Sequence, residues 1–151
     1  MAAVKSKEEG LWDTARGGDL AVVTELAEDP AVDVNWLGEN LASPFLMAYF
    51  NNCLEVVKYL LQHPRVDVNL PQRQGCPPIY LVCEFRNEEV VKLLLQDPRV
   101  NASQGLSDGR TPLWTAAHNG CLDNVQRLMV SGRDLSILAK VNGQTAADQA
   151  R

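Results

Sequence analysis

Apolar residues recur along this chain in paired amphipathic stretches, and the pairs return at a fixed step. In the clearest pair, Leu113, Ala116 and Ala117 fall at the spacing of one helix face. Val125, Leu128 and Met129 form a second stripe a few residues later. Thr111 before Pro112 predicts the start of the first helix. Threonine caps free amides, and proline suits a first turn that needs no amide hydrogen. Gly120 predicts its end, because glycine takes the left-handed backbone that closes helices. The second helix is predicted from about Leu122 to Val130, with Val125, Leu128 and Met129 inward and Gly132 as the stop.

The same pattern occurs three times upstream. Pro44, Pro78 and Pro112 stand 34 residues apart, as do Leu26, Leu60, Leu94 and Leu128, and Gly75, Gly109 and Gly143. Ser43-Pro44-Phe45 opens a helix running to about Asn51, followed by Leu54 to Leu61. Pro77-Pro78-Ile79 opens the next, followed by Glu88 to Leu95. The first unit lacks this start but puts Leu11 where Phe45, Ile79 and Leu113 stand. Pro30, Pro64 and Pro98 follow the second helices and block their extension. Such a period marks an array in which each unit needs neighbours to bury its apolar face. An array of this kind builds a long surface for binding rather than a closed pocket for chemistry.

The unit resembles the ankyrin repeat, whose signature is T-P-L-H-x-A at a period near 33. Thr111-Pro112-Leu113-Trp114-Thr115-Ala116 carries the match, with Trp114 in place of histidine. Val56 to Leu61 and Val90 to Leu95 look like the second ankyrin helix, and Asp33-Val34-Asn35 and Asp67-Val68-Asn69 like the segment before the loop. The extra residue in each period lies in the Pro-Arg-Val stretch after the second helix. The resemblance implies an all-α solenoid of antiparallel helix pairs joined by β-hairpin-like loops. Four full repeats are expected in one domain, at about 7–40, 41–74, 75–108 and 109–142, with a partial fifth at 143–151. The abrupt stop inside the fifth leads us to expect a fragment of a longer protein.

Composition narrows the function. The net charge of −5 argues against a nucleic-acid binder, which needs a basic face. No apolar run approaches a membrane span. The four cysteines show no C-x-x-C spacing, and Cys53 and Cys121 stand two periods apart, so the repeat explains them. Reduced thiols without metal or cofactor are expected, in a cytoplasmic or nuclear monomer. No nucleophile elbow, Walker loop or metalloprotease motif is present. His63, at a helix end where an imidazole can bond free carbonyls, and His118 have no catalytic partner at a recognisable spacing. The chain reads as a non-enzymatic module that binds a protein. The alternatives are a recruiting arm for an effector domain beyond residue 151, or a structural spacer.

Ankyrin arrays bind partners with a concave face made of loop tips and first-helix ends. That resemblance implies Phe50, Asn51, Arg73, Gln74, Glu84, Phe85, Asp108, Arg110, His118 and Asn119 as partner-binding residues. Phe50 and Phe85 stand out, because solvent-facing positions rarely need a phenyl ring, and exposed aromatics make hot spots. Trp36 and Leu37 are weaker candidates in the first loop. Trp12, Leu46, Tyr80 and Trp114 replace the usual histidine and are expected to pack between repeats. Asn69 looks like the asparagine modified by asparaginyl hydroxylases. The simpler reading is that Asp67 and Asn69 hydrogen-bond the loop backbone. The helix–helix turns place Gly18, Asn52, Arg86 and Gly120 in one position. Arginine tolerates positive φ poorly, so the third turn is expected to shift the strain onto Asn87.

Overall fold

The computed structural model describes residues 3–132 and the backbone at 140–141 and 144–145. Its first helices are α1 (Lys7–Gly17), α3 (Pro44–Phe50), α5 (Pro78–Glu84) and α7 (Pro112–His118). Each is followed by a second helix of 9 residues: α2 (Leu20–Glu28), α4 (Leu54–Gln62), α6 (Glu88–Gln96) and α8 (Leu122–Val130). Ser43 and Thr111 cap their helices by accepting from the Leu46 and Trp114 amides at 3.3 and 3.1 Å, with proline in the first turn. The first helix begins further upstream than the repeat suggests. Ser6 and Glu9 form a reciprocal capping box that nucleates it before the first apolar residue.

Contacts divide the chain into two compact units, Met1–Asp67 and Val68–Arg151. In the first, α1 packs on α2 and α3, α3 on α4, and α2 on α4. In the second, α5 packs on α6 and α7, α7 on α8, and α6 on α8. The repeating leucine is the centre of the last three second helices, where Leu60, Leu94 and Leu128 are fully buried, whereas Leu26 of α2 is half-buried beside the buried Val23 and Ala27. Burying such a side chain contributes about 1.5–3 kcal/mol. The position that replaces histidine is buried at Trp12, Leu46 and Tyr80, and the Trp12 indole donates to the Ala42 carbonyl at 2.8 Å.

Two expectations are corrected. Met129 does not face inward: it is 61% exposed, while Asn124 and Leu128 form the buried line of α8. The third turn does not shift either. Arg86 itself takes the left-handed conformation (φ 58°), as Gly18, Asn52 and Gly120 do at the same place. Asn87 is needed elsewhere, because its side chain caps α6 by accepting from the Val90 amide at 3.1 Å, with φ −88°.

The loops close as narrow, hairpin-like turns. Gly38, Gln72 and Leu106 donate their amides to the carbonyls of Ala42, Cys76 and Arg110, at 3.1, 2.8 and 2.8 Å. Lys140–Val141 (β1) pairs antiparallel with Gln144–Thr145 (β2). The first helix of the partial fifth repeat, expected to follow Thr145, lies outside the described residues.

Candidate functional site

The residues implicated from sequence fall on loop tips and first-helix ends, and each unit presents its own set. In the first unit Phe50 is the last residue of α3 and 47% exposed, with its ring 5.3 Å from that of Tyr49 between centroids. Asn51 is the C-cap, and its side-chain amide donates back to the Met47 carbonyl at 2.9 Å. That bond fixes the end of the helix and, with it, the direction of Phe50.

In the second unit Phe85 is the C-cap of α5, one position beyond the place Phe50 holds in α3, and is 58% exposed. Glu84 and Asn119 are brought together: the Asn119 amide donates to the Glu84 carbonyl at 3.2 Å. The Arg86 guanidinium in turn donates to the Asn119 carbonyl. His118 is exposed and stacks on Trp114, with centroids 4.8 Å apart and planes 11° from parallel. Arg73 and Gln74 are exposed in the loop before α5, with Gln74 left-handed at φ 62°. Asp108 and Arg110 form an ion pair at 2.7 Å in the loop before α7. The Arg110 hydrogen bond holds the Asp108 carboxyl below the usual range and raises the guanidinium in return.

Sequence reasoning missed Leu41. It stands where two later loops have Gly75 and Gly109, takes φ 55°, and is 55% exposed. A leucine in a left-handed, solvent-facing position is unfavourable on two counts, so it is a candidate contact. The signal was present as a break in the glycine row.

Asn69 is held at both ends of its amide by the backbone of Arg99 and Asn101, at 2.7 Å each. Those bonds alone account for the asparagine. His63 is buried at the end of α4. Its Nδ1 accepts from the Arg65 amide at 3.3 Å, and its Nε2 lies 3.9 Å from Glu28. Cys53 and Cys121 share one structural place, as N-caps of α4 and α8. Burial pushes the Cys83 thiol up to about 12, away from reactivity. Among the described residues, no three His, Cys, Asp or Glu side chains gather as metal ligands. No helix among them is long and apolar enough to cross a membrane.

Residues 43–95 match a family model described as ankyrin repeats (many copies), and residues 79–150 match one described as ankyrin repeats (3 copies). No curated protein matches the chain.

Proposed function

The chain belongs to the ankyrin repeat family, whose members are generally protein–protein interaction modules, and from that premise we propose that it binds a protein partner without catalysis. Binding runs through loop tips and the ends of the first helices. One observation carries this reading: each unit exposes a phenyl ring, Phe50 or Phe85, just where a first helix ends. An exposed ring is unfavourable in water and favourable once a partner covers it. The polar groups around the rings, Asn51, Glu84, His118 and Asn119, supply the rim that gives such contacts direction. Asp108 and Arg110 already satisfy one another, so they contribute shape and orientation more than free charge. A cytoplasmic or nuclear setting, with the chain acting as a monomer, fits four cysteines that all stand as thiols.

The test is a hydrogen-exchange footprint with a partner recovered by affinity capture. Protection is expected at the C-terminal ends of α3, α5 and α7 and in the loops before them. Protection confined to the second helices would contradict the proposal.

A further inference from the structure

The first unit has a small pocket that the partner-binding set does not use. It encloses about 180 Å³ and is lined by Lys5, Glu9, Trp12, Asp13, Trp36 and Glu39. Drug-sized ligands fill roughly 300–1,000 Å³, so this one suits the head of a single side chain. Its apolar lining is two indoles, the best aromatic faces for holding a cation. Its charged lining is three carboxylates and one lysine.

We propose that this pocket receives a lysine side chain, methylated or not, from a basic segment of a protein partner. The chain's own residues already act out the chemistry. The Lys5 ammonium sits on the Asp13 carboxylate, and the Arg16 guanidinium lies 5.3 Å from the centre of the Trp12 ring. Lys5 is 68% exposed, and an exposed pair of this kind is weak enough for an incoming cation to displace. Lys5 and Arg16 both pair with Asp13, and together with Glu9 and Glu39 the three carboxylates against two cations still leave the pocket net negative.

The site is also built in advance. The bond from the Trp12 indole to the Ala42 carbonyl fixes that ring. The Glu9 carboxylate is held by the Ser6 amide at 3.1 Å. Gly38 lets the loop bring Trp36 in: a Cβ there would lie 2.6 Å from Trp12 Nε1 and 2.8 Å from Trp36 Cζ3. A rigid pocket loses little freedom on binding, which lets one side chain count.

This inference rests on the reading that the chain binds protein and names what the partner presents, but it uses neither Phe50 nor Phe85. The test titrates nitrogen-labelled protein with short glycine peptides carrying one central trimethyllysine, lysine or norleucine. The indole N–H resonances of Trp12 and Trp36 are expected to move with the two cationic peptides, and that of Trp114 to stay. Trp36→Ala should weaken binding about fivefold. Lys5→Ala should tighten it about twofold by removing the internal competitor. Phe50→Ala with Phe85→Ala should leave it unchanged, which separates this site from the partner surface proposed above. Glu39→Gln keeps the shape of its side chain and should weaken binding, so it decides the matter should Trp36→Ala fail to fold. Equal binding of norleucine, still resonances at Trp12 and Trp36, or no effect of Glu39→Gln overturns the proposal.

Discussion

The side-chain amide of Asn69 donates to the Arg99 carbonyl at 2.7 Å. Its oxygen accepts from the Asn101 amide, and Asn35 repeats the pattern on Arg65 and Asp67 at 2.8 Å. One asparagine thus ties successive repeats through the backbone that follows each second helix. Asn69→Ala removes two hydrogen bonds and is expected to cost about 2 kcal/mol, read from the urea midpoint. Asn69→Asp should cost more, because it loses the donor and sets a carboxylate against the Arg99 carbonyl.

Asn124 occupies the place that Val56 and Val90 hold in the preceding repeats, fully buried, and neither polar atom of its amide has a partner among the described residues. An unpaired amide away from water is costly. Asn124→Val is therefore expected to stabilise the protein by about 1–3 kcal/mol in urea denaturation. A loss of stability would mean that the amide is satisfied in solution.

Leu41 and Arg86 hold left-handed backbone at φ 55° and 58°. Leu41→Gly is expected to raise stability by about 1 kcal/mol, since glycine adopts that conformation freely. Arg86→Gly should gain less, because it also gives up the guanidinium bond to Asn119. Arg86→Ala, which keeps the strain and loses the bond, should gain nothing. Thermal midpoints of the three variants check the order.

Lys7 and Asp29 form an exposed ion pair at 2.6 Å. The Lys7 hydrogen bond holds the Asp29 carboxyl below its ordinary 3.8, and the same bond raises Lys7 above 10.5. The unfolded chain then takes up the carboxylate proton first. The pair's contribution is complete above about pH 4 and fades as pH falls through the folded value. On the alkaline side it is complete below 10.5 and fades as pH rises through the raised lysine value. Lys7→Met should therefore flatten part of the acid-side fall in melting temperature. Asp108, lowered by Arg110, and Glu8, lowered by backbone and Ser6 hydrogen bonds, keep their own shares. Added salt should shrink the difference.

The helix pairs were legible because a period of 34 residues repeats caps, prolines and apolar stripes together. The predicted ends of α8 match the observed Leu122–Val130. Helical spacing does not, however, say where a stripe's edge meets water. Leu61 is buried and Leu95 half-buried, whereas Met129, at the same place, is open. Residue preference failed at Arg86, because the capping role of Asn87 outweighed the cost of positive φ. The Ser6–Glu9 box was readable as serine followed three residues later by glutamate, but the repeat drew the boundary inside it. For the site, the period separated Phe50 and Phe85 from the packing residues. The Trp12–Trp36 pocket was not legible, since it depends on how Gly38 turns a loop.

On the function proposed above, the exposed rings at the ends of first helices anchor a protein partner. The most direct measurement is the affinity of a captured partner for the wild type and for the Phe50→Ala, Phe85→Ala double variant. Both side chains are exposed, so the melting temperature should barely change. Affinity should fall at least about tenfold, as expected when hot-spot aromatics are truncated. An unchanged affinity in a variant that still folds would contradict it.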